Sequence, residues 1–161
     1  MFQTLHALTI MLAAVGMALS LAHALEFPGK RRLDRPTYLK VQAIYYPGFT
    51  VGGIFEPVAM VAAFALLLFT PLGTLPFWLT LAAFFSLLLA HAIYWAIIHP
   101  VNRVWLKDEK LDKAGGSFFA TGGRTAEGDW TALRDRWEWS HVARAILEMV
   151  GLAALVAAAV L

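Results

Sequence analysis

The sequence predicts an all-α fold: an integral membrane antiparallel four-helix bundle with a short interfacial helix in its first basic loop. Three observations carry this. Of 161 residues, 60% are hydrophobic and only 15% charged, against about a quarter charged in soluble domains. Four apolar stretches, at about 2–27, 49–69, 77–98 and 140–161, each approach or exceed the ~20 residues that cross a bilayer core as a helix. The cations fall almost wholly between these stretches, in two of the three loops. Little chain is left over, so residues 1–161 read as a single domain.

The first stretch ends in "SLAHALEFPGKRR". Its "AHA" resembles a small-x-small leader-cleavage site, but the first 29 residues contain no Lys or Arg, so the positive start of a leader is missing. It reads as a retained span. In the loop that follows, Asp34 is a helix cap and Pro36 suits the first turn. Tyr38, Gln42 and Tyr45 recur at i, i+4 and i+7, on one face. This predicts an amphipathic helix lying in the interface, its tyrosines at headgroup level, ended by Pro47-Gly48. The second span opens with Gly52 one turn before Glu56, next to Pro57. The uncharged "TPLGTLP" turn leads into the third span. "HPVNRVWLKDEK" continues that helix into water, "AGGSFFATGG" reads as an irregular flexible tip matching no phosphate-binding loop, and a helix resumes near "DWTALRDRWEWS". Trp105, Trp130 and Trp139 read as an interfacial belt.

Charge sets the expected topology. Lys30, Arg31, Arg32, Arg35 and Lys40 lie between spans one and two. Arg103, Lys107, Lys110, Lys113, Arg124, Arg134 and Arg136 lie between spans three and four. Arg144 sits one turn inside the fourth span. By the positive-inside rule both basic loops are cytoplasmic and both termini outside, which in a bacterium means the inner membrane. The net charge of +2 arises in loops and implies no nucleic acid. The expected partners are the lipid bilayer and a hydrophobic small molecule; a homo-oligomer or a membrane-complex partner stays open.

Ionisable groups in a bilayer are expensive and tend to mark function. At 1.5 Å per residue, His23 and Glu26 lie within roughly 6 Å of the basic end of span one, and Glu56, His91 and Glu148 about 10–12 Å in from that end. His141 and Arg144 occupy the first turns of span four. All four helices thus bring a titratable group to one expected layer in the cytoplasmic half. The opposite half holds only His6. On span four, Trp137, His141, Arg144 and Glu148 form one stripe; on span three, His91, Trp95 and Asn102 form another.

These residues suggest a site with catalytic groups Glu56, Glu148, His91, His141 and Arg144. A carboxylate in a dry setting is a general base, a guanidinium stabilises an oxyanion, and imidazoles relay protons. Tyr38, Gln42, Tyr45, Trp95, Asn102 and Trp137 would wall a flat lipophilic substrate. No cofactor is required. A single metal ion on His23, Glu26, His91 and His141, or a haem between His91 and His141, remains an open alternative. The absence of cysteine excludes disulfides, thiolate ligands and covalent haem attachment. The competing readings are a buried ion-pair network that fixes helix packing and a proton-coupled carrier.

"HALEFPGK", "YLKVQAIYYPGF", "HPVNRVW" and "RWEWSHVARA" resemble a family of small four-span bacterial membrane proteins of unknown function, some of whose members are described as anthrone oxygenases. The resemblance extends over nearly the whole chain, with Asn102, Trp105, Arg136, Trp137, His141 and Arg144 as the matching positions. It implies oxidation of an anthrone to an anthraquinone by molecular oxygen without an evident cofactor. The function expected is therefore a membrane-embedded oxidoreductase or oxygenase acting on a hydrophobic aromatic or quinone-like molecule.

Overall fold

The computed structural model describes residues 2–46, 48–106, 113–121 and 126–161. Pro47, Lys107, Lys110, Arg124 and the Gly122-Gly123 pair, invoked above as a helix stop, as loop cations and as a loop tip, lie outside the described residues, as does the side chain of Lys113.

Helices account for most of the chain: α1 (Phe2–Lys30), α2 (Arg35–Tyr45), α3 (Gly48–Gly52), α4 (Phe55–Phe69), α5 (Leu75–Ile93), a π-helical turn (Tyr94–Ile98), α6 (His99–Trp105), α7 (Lys113–Ala120) and α8 (Trp130–Ala159). No strand occurs among the described residues. Four units are long and apolar enough to span a membrane: α1, Gly48–Phe69, Leu75–Trp105 and α8. This is a multi-pass membrane protein. Each span packs on its sequence neighbours, and α8 closes on α1, so the helices run up-down-up-down around a square.

The observed spans overrun the predicted ones. α1 continues through Pro28 to Lys30, α5 runs on through the π turn to Trp105, and α8 begins ten residues before Ser140. Hydrophobicity alone set the predicted limits, and helices do not stop where lipid does. Because ~20 residues suffice to cross the hydrocarbon, the 29 residues of α1 and 30 of α8 leave about two to three turns each. The charged surplus of both lies at one end, called here the basic end.

Two local features shape that end. Pro100 lacks an N–H and its ring crowds the carbonyl four residues back; the helix absorbs this as the π turn just before it. The second span breaks at Gly53-Ile54, between α3 and α4. α2 starts on an Asp34 cap that accepts from Thr37 N at 3.0 Å. Its tyrosine face does not all lie open at headgroup level, however: Tyr38 is fully buried and Gln42 nearly so, packed on the bundle. The predicted irregular tip is also corrected, since its first part is helical as α7. His99 Nε2 donates to Thr121 O (2.9 Å), and Phe119 stacks on the His99 ring. α7 thereby gains a packing partner that local propensity could not supply.

Toward the opposite end the bundle closes on small residues. Ala13, Ala59, Leu66, Ala83, Leu87 and Leu155 form one core. A Cβ on Gly151 would stand 3.4 Å from the Ala83 carbonyl of α5, so this glycine sets how closely α8 and α5 approach. Outward-facing Leu8, Met11, Val61, Phe64, Leu89 and Val150 are exposed, as a lipid-facing surface requires.

Candidate functional site

α8 carries the spine of the site. From Trp137 to Glu148 it presents Trp137, Glu138, His141, Arg144 and Glu148 inward, all buried. At 1.5 Å per residue this covers about 15 Å, so the polar groups form tiers rather than the single shallow layer expected.

In the deepest tier, Arg144 joins two carboxylates. One guanidinium nitrogen stands 2.7 Å from Glu56 Oε2 and 3.1 Å from Glu148 Oε1, and Ser20 Oγ donates to the same Glu148 oxygen (3.1 Å). Gly16 of α1 faces Glu56, and a Cβ there would stand 3.8 Å from it, an ordinary contact distance. Glu56 Oε2 also faces His91 Nδ1 at 3.6 Å. Because an indole N–H only donates, the 2.9 Å Trp95 Nε1–His91 Nε2 bond makes Nε2 an acceptor. That puts the proton of a neutral His91 on Nδ1, toward Glu56. Among the described residues, Glu56 Oε1 and Glu148 Oε2 have no hydrogen-bond partner.

The middle tier is aromatic. The rings of His23 and His141 stand 4.3 Å apart, Trp137 lies 4.1 Å from His141, and Tyr45 and Phe49 each lie 4.5 Å from His23. His141 is 4% exposed, and neither ring nitrogen has a hydrogen-bond partner. Such a buried polar group is costly unless something satisfies it. Trp137 is held by its indole N–H, which donates to Asn102 Oδ1 at 2.7 Å.

The tier nearest the basic end is a lock. Lys30 is buried, with Nζ 3.1 Å from Glu138 Oε1 and 4.7 Å over the Trp137 ring. Tyr38 Oη donates to Glu138 Oε1 (2.8 Å), and Tyr45 Oη donates to Glu26 Oε2. Burial, reinforced by Glu138, raises the ionisation of the Tyr38 phenol well above its ordinary range. Burial and the Glu26 hydrogen bond do the same for Tyr45. Both therefore stay donors.

Between these tiers lies a cavity of about 210 Å³. Its polar lining includes His23, Gln42, Glu56, His91, His141 and Arg144, and its aromatic lining Tyr45, Tyr94, Trp95, Trp105 and Trp137. Most predicted site residues converge here, and several do not. Glu148 is fully buried behind Arg144, off the cavity, and acts by positioning it. Tyr38, expected in the substrate wall, is outside the lining and committed to Glu138. Glu26 also stands outside, its side chain 43% exposed. Trp105, assigned to the interfacial belt, instead lines the cavity and packs on Trp137; Trp139, at 59% exposure, fits the belt.

The metal and haem alternatives fare less well. Among the described residues no three His, Asp or Glu side chains converge as a metal-binding group. His91 belongs to the Glu56 tier, His23 and His141 to the aromatic tier, and Glu26 to the lock. Haem ligation by His91 would have to displace its bond from Trp95.

Lys30, Glu138, Tyr94 and His99 were not singled out from sequence. Glu138 was findable, because it lies three residues before His141 on the same face of α8. Lys30 was counted only as a loop cation. Tyr94 and His99 turn inward at the π turn, which Pro100 could have signalled.

No known protein family, curated protein or solved structure matches this chain.

Proposed function

We propose that the protein is a membrane-embedded oxidoreductase of the oxygenase type, acting on a hydrophobic aromatic or quinone-like molecule held in the cavity. The observation that carries this is His141, buried on the cavity wall with both nitrogens unpartnered, in a cavity that Glu56, with its own unpartnered oxygen, also lines. A packing network has no need of polar atoms left without partners at an internal void.

In this reading Glu56 Oε1 removes an acidic carbon-bound proton from the substrate. His141 donates a hydrogen bond to the ring oxygen as negative charge moves onto it, and Arg144, fixed by Glu148, holds Glu56 in place. The substrate carbanion passes its electrons to molecular oxygen and forms a carbon–oxygen bond. The resulting hydroperoxide loses water, so that a methylene plus O2 becomes a ketone plus H2O. The basic loops face the cytoplasm and both termini face outward across the inner membrane. Because the chain has no cysteine, single-cysteine reporters in either loop or at either terminus test that orientation directly.

The catalytic test is oxygen uptake by purified protein in lipid nanodiscs, with anthrone, whose ring methylene supplies the carbon-bound proton, as the probe. Uptake above the protein-free rate is expected, reduced by about 100-fold or more in Glu56→Gln and His141→Ala, the scale of general acid–base catalysis. Uptake no faster than in empty nanodiscs would sink the reading. The Ser20–Glu148–Arg144 chain, wholly inside the protein, favours a second reading, a non-catalytic subunit whose polar network fixes packing. Under it, these substitutions lower thermal stability only. A proton-coupled carrier has less support. The one titratable group described in the opposite half, His6, is engaged with the Leu155 carbonyl at 2.9 Å.

A further inference from the structure

The cavity's boundaries differ in kind. Toward the basic end it is roofed by Gln42 and Tyr45 of α2, Trp105 near the end of α6, and Phe118 and Phe119 of α7. On its side, the lining residues that are exposed are Gly53 and Ile54 at the helix break and Trp95 in the π turn. Ile54 is 60% and Trp95 37% exposed. Around them Val51, Phe55 and Val58 are exposed and apolar. Gly53 lies five residues into the second span, about 8 Å from its start, on a stretch long and apolar enough to cross a bilayer. The cavity therefore opens sideways, through the flank of a membrane-spanning segment.

Volume limits what fits. A cavity of about 150 Å³ takes up one benzene ring; at about 210 Å³ this one encloses a single substituted ring. The remainder of a larger ligand must leave through the side opening into lipid. Inside, the ring would meet His141, with two unpartnered nitrogens, and Gln42 Nε2 and Glu56 Oε1, also unpartnered. Those are donors and acceptors suited to ring oxygens.

Resting on the site assigned under the proposed function, we propose that its ligand is a single-ring phenol or quinone bearing a hydrocarbon tail. The ring is held at His141 and Glu56, and the tail leaves between the Gly53-Ile54 break and Trp95.

Binding is measured in nanodiscs of phosphatidylcholine by quenching of tryptophan fluorescence. The probes are decyl-benzoquinone, the same ring without its tail, and anthrone, each expressed per lipid. Saturable quenching by the tailed quinone is expected, with the tailless ring and anthrone each binding at least tenfold more weakly. Ile54→Phe at the opening, Thr50→Phe on the half-buried cavity lining one turn before it, and His141→Phe inside should each weaken the tailed probe tenfold or more. Val150→Phe, on the lipid face of α8 diagonally across the bundle from α4, should leave it unchanged. The tail-length comparison needs only the native protein, so misfolding of a variant does not blunt the test. Equal binding of anthrone and tailed quinone, non-saturable quenching, or indifference to both Ile54→Phe and Thr50→Phe overturns the proposal. Oxygen uptake with anthrone but no tailed-quinone binding defeats this inference and leaves the oxygenase reading. Tailed-quinone binding without oxygen uptake does the reverse.

Discussion

The two halves of this bundle use the same four helices and solve opposite problems. In the half around Ala13, Ala59, Ala83 and Leu155, small side chains let the helices touch. With lipid on the outside as apolar as the core, close packing is what holds them. In the half around Trp137, His141 and Arg144, large rings and ion pairs hold the helices apart around a cavity. The lesson is that separation requires as much specification as contact. The apolar half needs one well-placed glycine, whereas the polar half needs charges from α1, α4 and α8 and caps from α2 and α7.

Removing the central cation should break the contrast most severely. Arg144→Leu strands Glu56 and Glu148 without their partner, and leaving a buried charge uncompensated costs about 3–5 kcal/mol. Thermal unfolding in detergent should show a large loss, partly restored by adding Glu56→Gln and Glu148→Gln. No restoration would mean that the arginine acts by packing rather than charge. On the apolar side, Gly151→Val drives a side chain into the α5 backbone and should cost about 1–3 kcal/mol by overpacking. A neutral result would show that the helices there are free to spread.

Trp137→Phe removes the indole donor to Asn102 and one of the two fused rings. It should cost about 1–2 kcal/mol and loosen the cavity wall, read as a higher probe concentration for half-saturation, out of proportion to the stability change. The smallest effect concerns Asp34, whose carboxyl is held below its ordinary range by hydrogen bonds from the Thr37 hydroxyl and backbone N–H. A depressed carboxylate contributes its stability above the unfolded value and loses it as pH falls through the folded one. The first turn of α2 should therefore fray on acidification in the native protein and show no such acid step in Asp34→Ala. Amide exchange at Thr37 and Tyr38 reads this.

Much of this was legible. The apolar runs gave the spans, the Asp34 cap gave α2, and residue spacing on α8 gave the Trp137–His141–Arg144–Glu148 stripe. What misled was the treatment of each helix by itself. Tyr38 looked interfacial because its spacing is amphipathic, but Glu138, one hundred residues away, accepts its hydroxyl. "KAGGSFFA" looked irregular because glycine disfavours helix, and packing of Phe118 and Phe119 on His99 overrides that. Lys30 looked solvated because most lysines are, and its burial depends on Glu138 and the Trp137 ring.

By itself the sequence determined the number of spans, their alternation and the end at which charge collects. Hydrophobic length and residue spacing are local properties, and a bilayer reads them one helix at a time. Only the tertiary structure decided which carboxylate pairs with Arg144, that Glu148 stands behind the cavity while Glu56 lines it, and that His141 has no partner. Those outcomes depend on the rotation of each helix about its axis. That rotation is fixed jointly by Arg144 against Glu56, Gly151 against Ala83 and the π turn before Pro100, features that come together only once the helices have met.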